Sequence, residues 1–187
     1  GMAFGFLYST PPISLKNRPI GGLTINALAH GNLAFLIGWC MNSTLSLRGL
    51  YFSLPYMLAV GAIYLNTTIP DMEGDKKTDK HTLSIKWGKG KTMILSSILV
   101  AIAILLSFLV NDIPFLIASS LSLPFFVFCA FNRTARHIVA TTKLSIILLS
   151  IAAGIFYPWY FAVLIVGFIG TRSYYKARFN LDYPTLI

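Results

Sequence analysis

Five long stretches almost free of charge constrain this chain more than any other feature: about Ile20–Met41, Leu50–Pro70, Thr92–Val110, Ile113–Phe131 and Leu144–Gly170. A helix needs roughly 20 mostly apolar residues to cross a hydrocarbon core about 30 Å thick, and each stretch is near that length or longer. Inside a bilayer every backbone polar group must be satisfied internally, which leaves helices or a closed barrel. The two-residue alternation of barrel strands is absent. The sequence therefore predicts an all-α, polytopic transmembrane helix bundle with about five spans, forming a single transmembrane domain over residues 1–187. Pro158 offers a break within the last stretch, but each leg would fall short of a span, so one long tilted helix is expected there. The first 20 residues lack the basic and apolar regions of a signal peptide.

Charge follows the same logic. Only 11% of residues are charged, against roughly 25% in soluble domains, and the mean hydropathy is +0.71. A net charge of +9 would suggest nucleic acid in a soluble protein. With alternating helices, however, the segment before Ile20 and the loops 71–91 and 132–143 share one side. That side carries eleven Lys and Arg residues, whereas the other carries Arg48, Arg172, Lys176 and Arg178. The positive-inside rule assigns the richer side to the cytoplasm, and no nucleic acid is needed to explain the charge. The reading is an integral protein of a bacterial or archaeal cell membrane, with membrane lipid as its surroundings. Trp39, Tyr51, Tyr157, Trp159 and Tyr160 lie near predicted span ends, where amphipathic rings favour the headgroup level. Cys40 and Cys129 stand alone in apolar runs, which excludes a disulfide framework.

One loop concentrates the chemistry. Of the six acidic residues in the chain, Asp71, Glu73, Asp75 and Asp79 fall between Pro70 and Lys80. Asp71, Asp75 and Asp79 are spaced to stack along one helix face, about 6 Å apart per step, where like charges repel. A divalent cation reverses the sign of that interaction, and hard oxygen ligands suit Mg²⁺, typically held by one or two carboxylates plus substrate phosphates. Lys76, Lys77, Lys80, Lys86, Lys89 and Lys91 surround the cluster. Spacing alone fits a solvated loop with mixed charge equally well. Position favours a site, because the carboxylates open at the end of a membrane helix, where a lipid-soluble substrate with an anionic head would arrive.

The string Asn66-Thr-Thr-Ile-Pro-Asp71-Met-Glu-Gly-Asp75, followed by Thr82-Leu83 and Trp87-Gly88, resembles the second aspartate-rich motif of the UbiA superfamily of intramembrane prenyltransferases. Upstream, Tyr8-Ser-Thr-Pro-Pro12 with Lys16 and Arg18 resembles a loop that these enzymes place on the same membrane side. The resemblance implies a nine-helix bundle of which this chain holds helices five to nine, preceded by the end of the fourth. It implies Mg²⁺-dependent transfer of a prenyl group from an isoprenoid diphosphate to a lipophilic, aromatic or ring acceptor. Asp71 and Asp75 would be the metal ligands and catalytic carboxylates, and Lys16, Arg18 and Lys80 the diphosphate contacts. Two departures stand out. Asp79 occupies a position where many members have glycine, either as a third ligand or as a solvated substitution. The first motif, NxxxDxxxD, is absent from these residues, so the resemblance implies a fragment, a further chain supplying the N-terminal helices, or lost activity.

Other signals carry less. Gly88-Lys-Gly-Lys-Thr92 has Ile85 where a phosphate-binding loop needs its first glycine, and no strand precedes it. A CDP-alcohol phosphotransferase would need an Asp-Gly…Ala-Arg string that is not present. A transporter segment would place ionisable groups at mid-membrane, where only His30 is expected, either bonded to a neighbouring helix or lining a cavity. A non-catalytic membrane subunit remains the alternative reading.

Overall fold

The computed structural model describes residues 2–183, and the described residues are helical throughout, joined by short turns. A short helix α1 (Met2–Ser9) leads through a 3₁₀ turn (Leu15–Asn17) into a continuous rod. That rod comprises α2 (Pro19–Asn26), a π-helical stretch (Ala27–Leu33) and α3 (Ala34–Cys40). Then follow α4 (Leu47–Thr68), the short α5 (Met72–Lys77), α6 (Leu83–Leu109), α7 (Ile113–Asn132), α8 (Ala135–Phe156) and α9 (Trp159–Phe179). Among the described residues five helical segments are long and apolar enough to span a membrane: Pro19–Cys40, Leu47–Thr68, Leu83–Leu109, Ile113–Asn132 and Ala135–Phe156.

The ends of these helices are written in local chemistry. Ser46 caps α4, its Oγ accepting from the Gly49 amide at 3.3 Å, and Asp112 caps α7, its Oδ1 accepting from the Phe115 amide at 3.2 Å. Both satisfy amides that a helix start leaves without partners.

The expected last span is corrected in both placement and length. The chain breaks at Tyr157-Pro158, because proline has no amide to donate and its ring collides with the preceding turn. The fifth span is Ala135–Phe156, and α9 is a separate helix. The loop expected over 132–143 shrinks to Arg133-Thr134, so Arg136 and Lys143 ride on the opening turns of α8.

Packing runs in sequence: the rod lies along α4, α4 packs on α6, α6 on α7 and α7 on α8. The interior is built from small and polar side chains. Ser53, Ser84, Thr92, Ser96, Ser107, Ser119, Ser122, Thr141 and Thr142 are all buried. Such residues let helix backbones approach closely and bond across the interface where no hydrophobic drive exists; Ser96 Oγ donates to the Ala62 carbonyl at 3.0 Å. Gly31 shows the closest approach to another backbone, since a Cβ there would lie 2.5 Å from the Met57 Cα. Two apolar layers fill the centre: Ala62, Val100 and Phe126 in one, and Ile69, Met93, Cys129 and Ile138 in the other, close to the aspartate-rich loop. Large apolar residues face outward, as Ile94, Ile98, Ile102, Leu105 and Leu109 do on α6. His30 is exposed on the π-helical stretch, and its side chain makes no hydrogen bond among the described residues.

Candidate active site

The site begins where α4 stops. Ile69 is buried, Pro70 ends the helical run, and Asp71 stands at the N-terminus of α5. The Asp75 amide donates to the Asp71 carbonyl at 2.8 Å. The two aspartates are thus one helical turn apart on one face. Asp71 is exposed, and its carboxylate has no hydrogen bond or ion pair among the described residues, whereas Asp75 is buried at 8% exposure.

Helix α5 then closes on itself. The Lys80 amide donates to the Asp75 carbonyl at 3.0 Å and the Asp79 amide to the Lys76 carbonyl at 3.4 Å, with Asp79 in the left-handed region at φ 53°. This is the Schellman arrangement that terminates many helices, with glycine usual at the left-handed position. It explains why glycine suits position 79, and it corrects the expectation of three aspartates on one helix face. Helix α5 ends at Lys77, and the Asp79 side chain is 95% exposed beside His81.

The same turn folds Lys80 back over the helix, and its Nζ reaches the Asp75 Oδ1 at 2.9 Å. That hydrogen bond to the carboxylate holds the Lys80 ammonium above its ordinary pKa, against an opposing effect of partial burial. Lys80 is therefore a cation throughout the neutral range.

A depression of about 750 Å³ opens above this face, lined by Lys16, Asn17, Pro70, Asp71, Gly74, Asp75, Thr78 and Lys80. Lys16 enters from the 3₁₀ turn between α1 and α2, more than fifty positions away in sequence. Four of the five residues proposed from sequence thus converge. Arg18 does not line the depression: it is exposed at the start of α2, where the backbone turns extended at φ −108° and ψ 134°. Among the described residues no three His, Cys, Asp or Glu side chains come together as a metal cage.

Sequence reasoning passed over several groups. Thr78 and Asn17 line the depression. Asn66, by contrast, opens the aspartate-rich string read from sequence; five positions before Asp71 and 1% exposed, its Nδ2 is buried without a hydrogen-bond partner among the described residues. At the start of α7, Tyr56 Oη donates to Asp112 Oδ2 at 2.6 Å. A lone aspartate ahead of Ile-Pro and an apolar run is a helix-cap signal, and that signal could have found Asp112.

The chain is 33% identical over 99 residues to the 1,4-dihydroxy-2-naphthoate octaprenyltransferase of Bacillus subtilis (strain 168), an alignment covering 52% of this chain and 32% of that protein. The chain thus spans about a third of the relative it matches. No solved structure matches it. Residues 1–137 match the UbiA prenyltransferase family, a region holding the whole depression and four of the five candidate spans, and the chain belongs to that family.

Proposed function

We propose that the protein transfers a prenyl group from an isoprenoid diphosphate to a lipophilic aromatic acceptor within the membrane, with Mg²⁺ as cofactor. The observation that carries this reading is the convergence of Asp71, Asp75, Lys16 and Lys80 on one depression at the end of a membrane bundle. Two carboxylates one turn apart, beside two ammonium groups, fit an ion completed by substrate oxygens rather than by a protein cage. Asp71 and Asp75 would hold Mg²⁺. Bound there, the ion neutralises charge that gathers on the departing diphosphate.

The chain's own residues supply the rest. The ammonium groups of Lys16 and Lys80 hold the diphosphate oxygens and fix the donor at the membrane end of α4. The apolar layer of Ile69, Met93, Cys129 and Ile138 lies close to the loop, and a dry surrounding protects an allylic cation from capture by water. We assign the loop to the cytoplasmic face of a cell membrane on the strength of its lysines and the positive-inside rule. The NxxxDxxxD motif, which would be the second half of such a metal site, is not among residues 1–187.

The assay is direct. The whole protein in lipid nanodiscs is given a radiolabelled isoprenoid diphosphate and 1,4-dihydroxy-2-naphthoate, the ring compound in the relative's name. Label appearing in a prenylated ring product supports the reading. Donor binding with no product from this or other ring acceptors would favour a non-catalytic subunit.

A further inference from the structure

We propose that Lys80 is a resident counter-ion for Asp75, occupying the cation's place until metal and diphosphate arrive and then moving its charge onto the diphosphate. The inference rests on the reading of Asp71 and Asp75 as metal ligands. It assigns Lys80 a positioning role beyond simple anion contact.

The two aspartates differ in a way that this role explains. Asp71 is exposed and needs no compensation from protein, since water solvates it. Asp75 is buried, with its side chain only 11% exposed, and a desolvated carboxylate without a partner is costly. Lys80 supplies that partner at 2.9 Å. The contact is not an accident of a long side chain searching solvent, because the Schellman turn pins the Lys80 amide 3.0 Å from the Asp75 carbonyl. Asp75 is thus held in place before any ligand binds.

The same geometry makes Lys80 removable. Its side chain is 36% exposed and lines the depression with Lys16 and Asp71. A divalent cation held by the Asp75 carboxylate would repel the Lys80 ammonium, which lies 2.9 Å from its Oδ1, so the two compete. A diphosphate in the same depression offers Lys80 an alternative anion. Metal alone must displace Lys80 with no compensation, whereas metal with diphosphate displaces it into a new ion pair. Lys80 thereby couples the two ligands, making the affinity for each depend on the presence of the other.

The test measures binding of Mn²⁺ alone, by electron paramagnetic resonance, to the whole protein in nanodiscs. Lys80→Met and Lys80→Gln remove the competing charge, and Gln keeps a hydrogen bond for Asp75 in case Met perturbs the fold. Both should bind Mn²⁺ at least tenfold more tightly than the parent protein. Lys80→Arg, which retains the charge, should bind no more tightly than the parent, and Lys76→Met should stay within twofold of it. Asp75→Asn should abolish the binding in every background. Equal, Asp75-dependent affinity in the parent, Lys80→Met and Lys80→Gln would overturn the exchange and leave the metal site standing. The absence of any Asp75-dependent binding would overturn both.

Discussion

The amide nitrogen of Lys80 lies 3.0 Å from the carbonyl oxygen of Asp75, and the residue between them that makes this return possible, Asp79, sits at φ 53°. One left-handed residue therefore decides where the lysine of the site stands. A side chain with a Cβ in that conformation costs roughly 1–2 kcal/mol, least for Asp and Asn. Asp79→Gly should raise stability by about 0.5 kcal/mol or leave it unchanged, because glycine's greater unfolded-chain entropy offsets part of the relief. Metal dependence should persist, which distinguishes a cap from a third ligand. Asp79→Val should lower stability by about 1–2 kcal/mol. Thermal unfolding of the three forms in detergent checks both.

Removing either carboxylate of the proposed metal pair should be far more damaging. In the whole protein, Asp71→Ala and Asp75→Ala should each lower turnover about a hundredfold or more, the scale seen when one preorganised electrostatic group is deleted. Asp75→Ala should also release Lys80 from its partner, whereas Asp71→Ala should leave the Asp75–Lys80 pair intact. Steady-state kinetics at saturating donor distinguish loss of turnover from loss of affinity.

Gly31→Ala should destabilise the bundle by about 1–3 kcal/mol through overpacking. The added methyl would sit 2.5 Å from the Met57 Cα and 2.8 Å from the Tyr56 carbonyl oxygen, backbone atoms that can yield only by moving α4. Gly38→Ala, on the same rod with nothing within 4 Å, should not lower the unfolding temperature and should raise stability by up to about 1 kcal/mol, because alanine is the better helix former.

At the start of α7, Asp112→Ala removes two bonds at once, the Phe115 cap and the acceptor for Tyr56. A loss of about 1–3 kcal/mol is expected. Asp112→Asn should recover most of it, because an amide oxygen still caps the helix. Tyr56→Phe should cost less than Asp112→Ala, since the cap survives. Equal losses in Asp112→Ala and Tyr56→Phe would mean the cap contributes nothing.

The parts of this protein that were legible in sequence are those set by hydrophobic length and by short-range spacing. Five spans follow from apolar run length, and Asp71 and Asp75 are one turn apart because a four-residue spacing meets a helix. Two errors have physical causes. Leu144–Gly170 reads as one segment because hydropathy registers only charge and oiliness, while the break at Pro158 depends on backbone hydrogen bonding. Asp79 reads as a third stacked carboxylate only if helical periodicity continues past Lys77, and the Schellman turn ends it there. The Asp75–Lys80 pair lay outside the reach of spacing, since five residues apart is not a helix-face neighbour until the chain reverses. Lys16 is tied to the site in sequence only by family resemblance, because no local pattern links a 3₁₀ turn to an aspartate pair more than fifty residues later.

The central claim is that Asp71 and Asp75 bind an isoprenoid diphosphate through Mg²⁺, and the affinity for that diphosphate measured across a Mg²⁺ titration tests it most directly. With the whole protein in nanodiscs, Mg²⁺ should tighten donor binding at least tenfold, and the Asp71→Ala/Asp75→Ala double variant should show no such gain. Equal donor affinity with Mg²⁺ and with chelator in the parent protein, or an undiminished gain in the double variant, would contradict it.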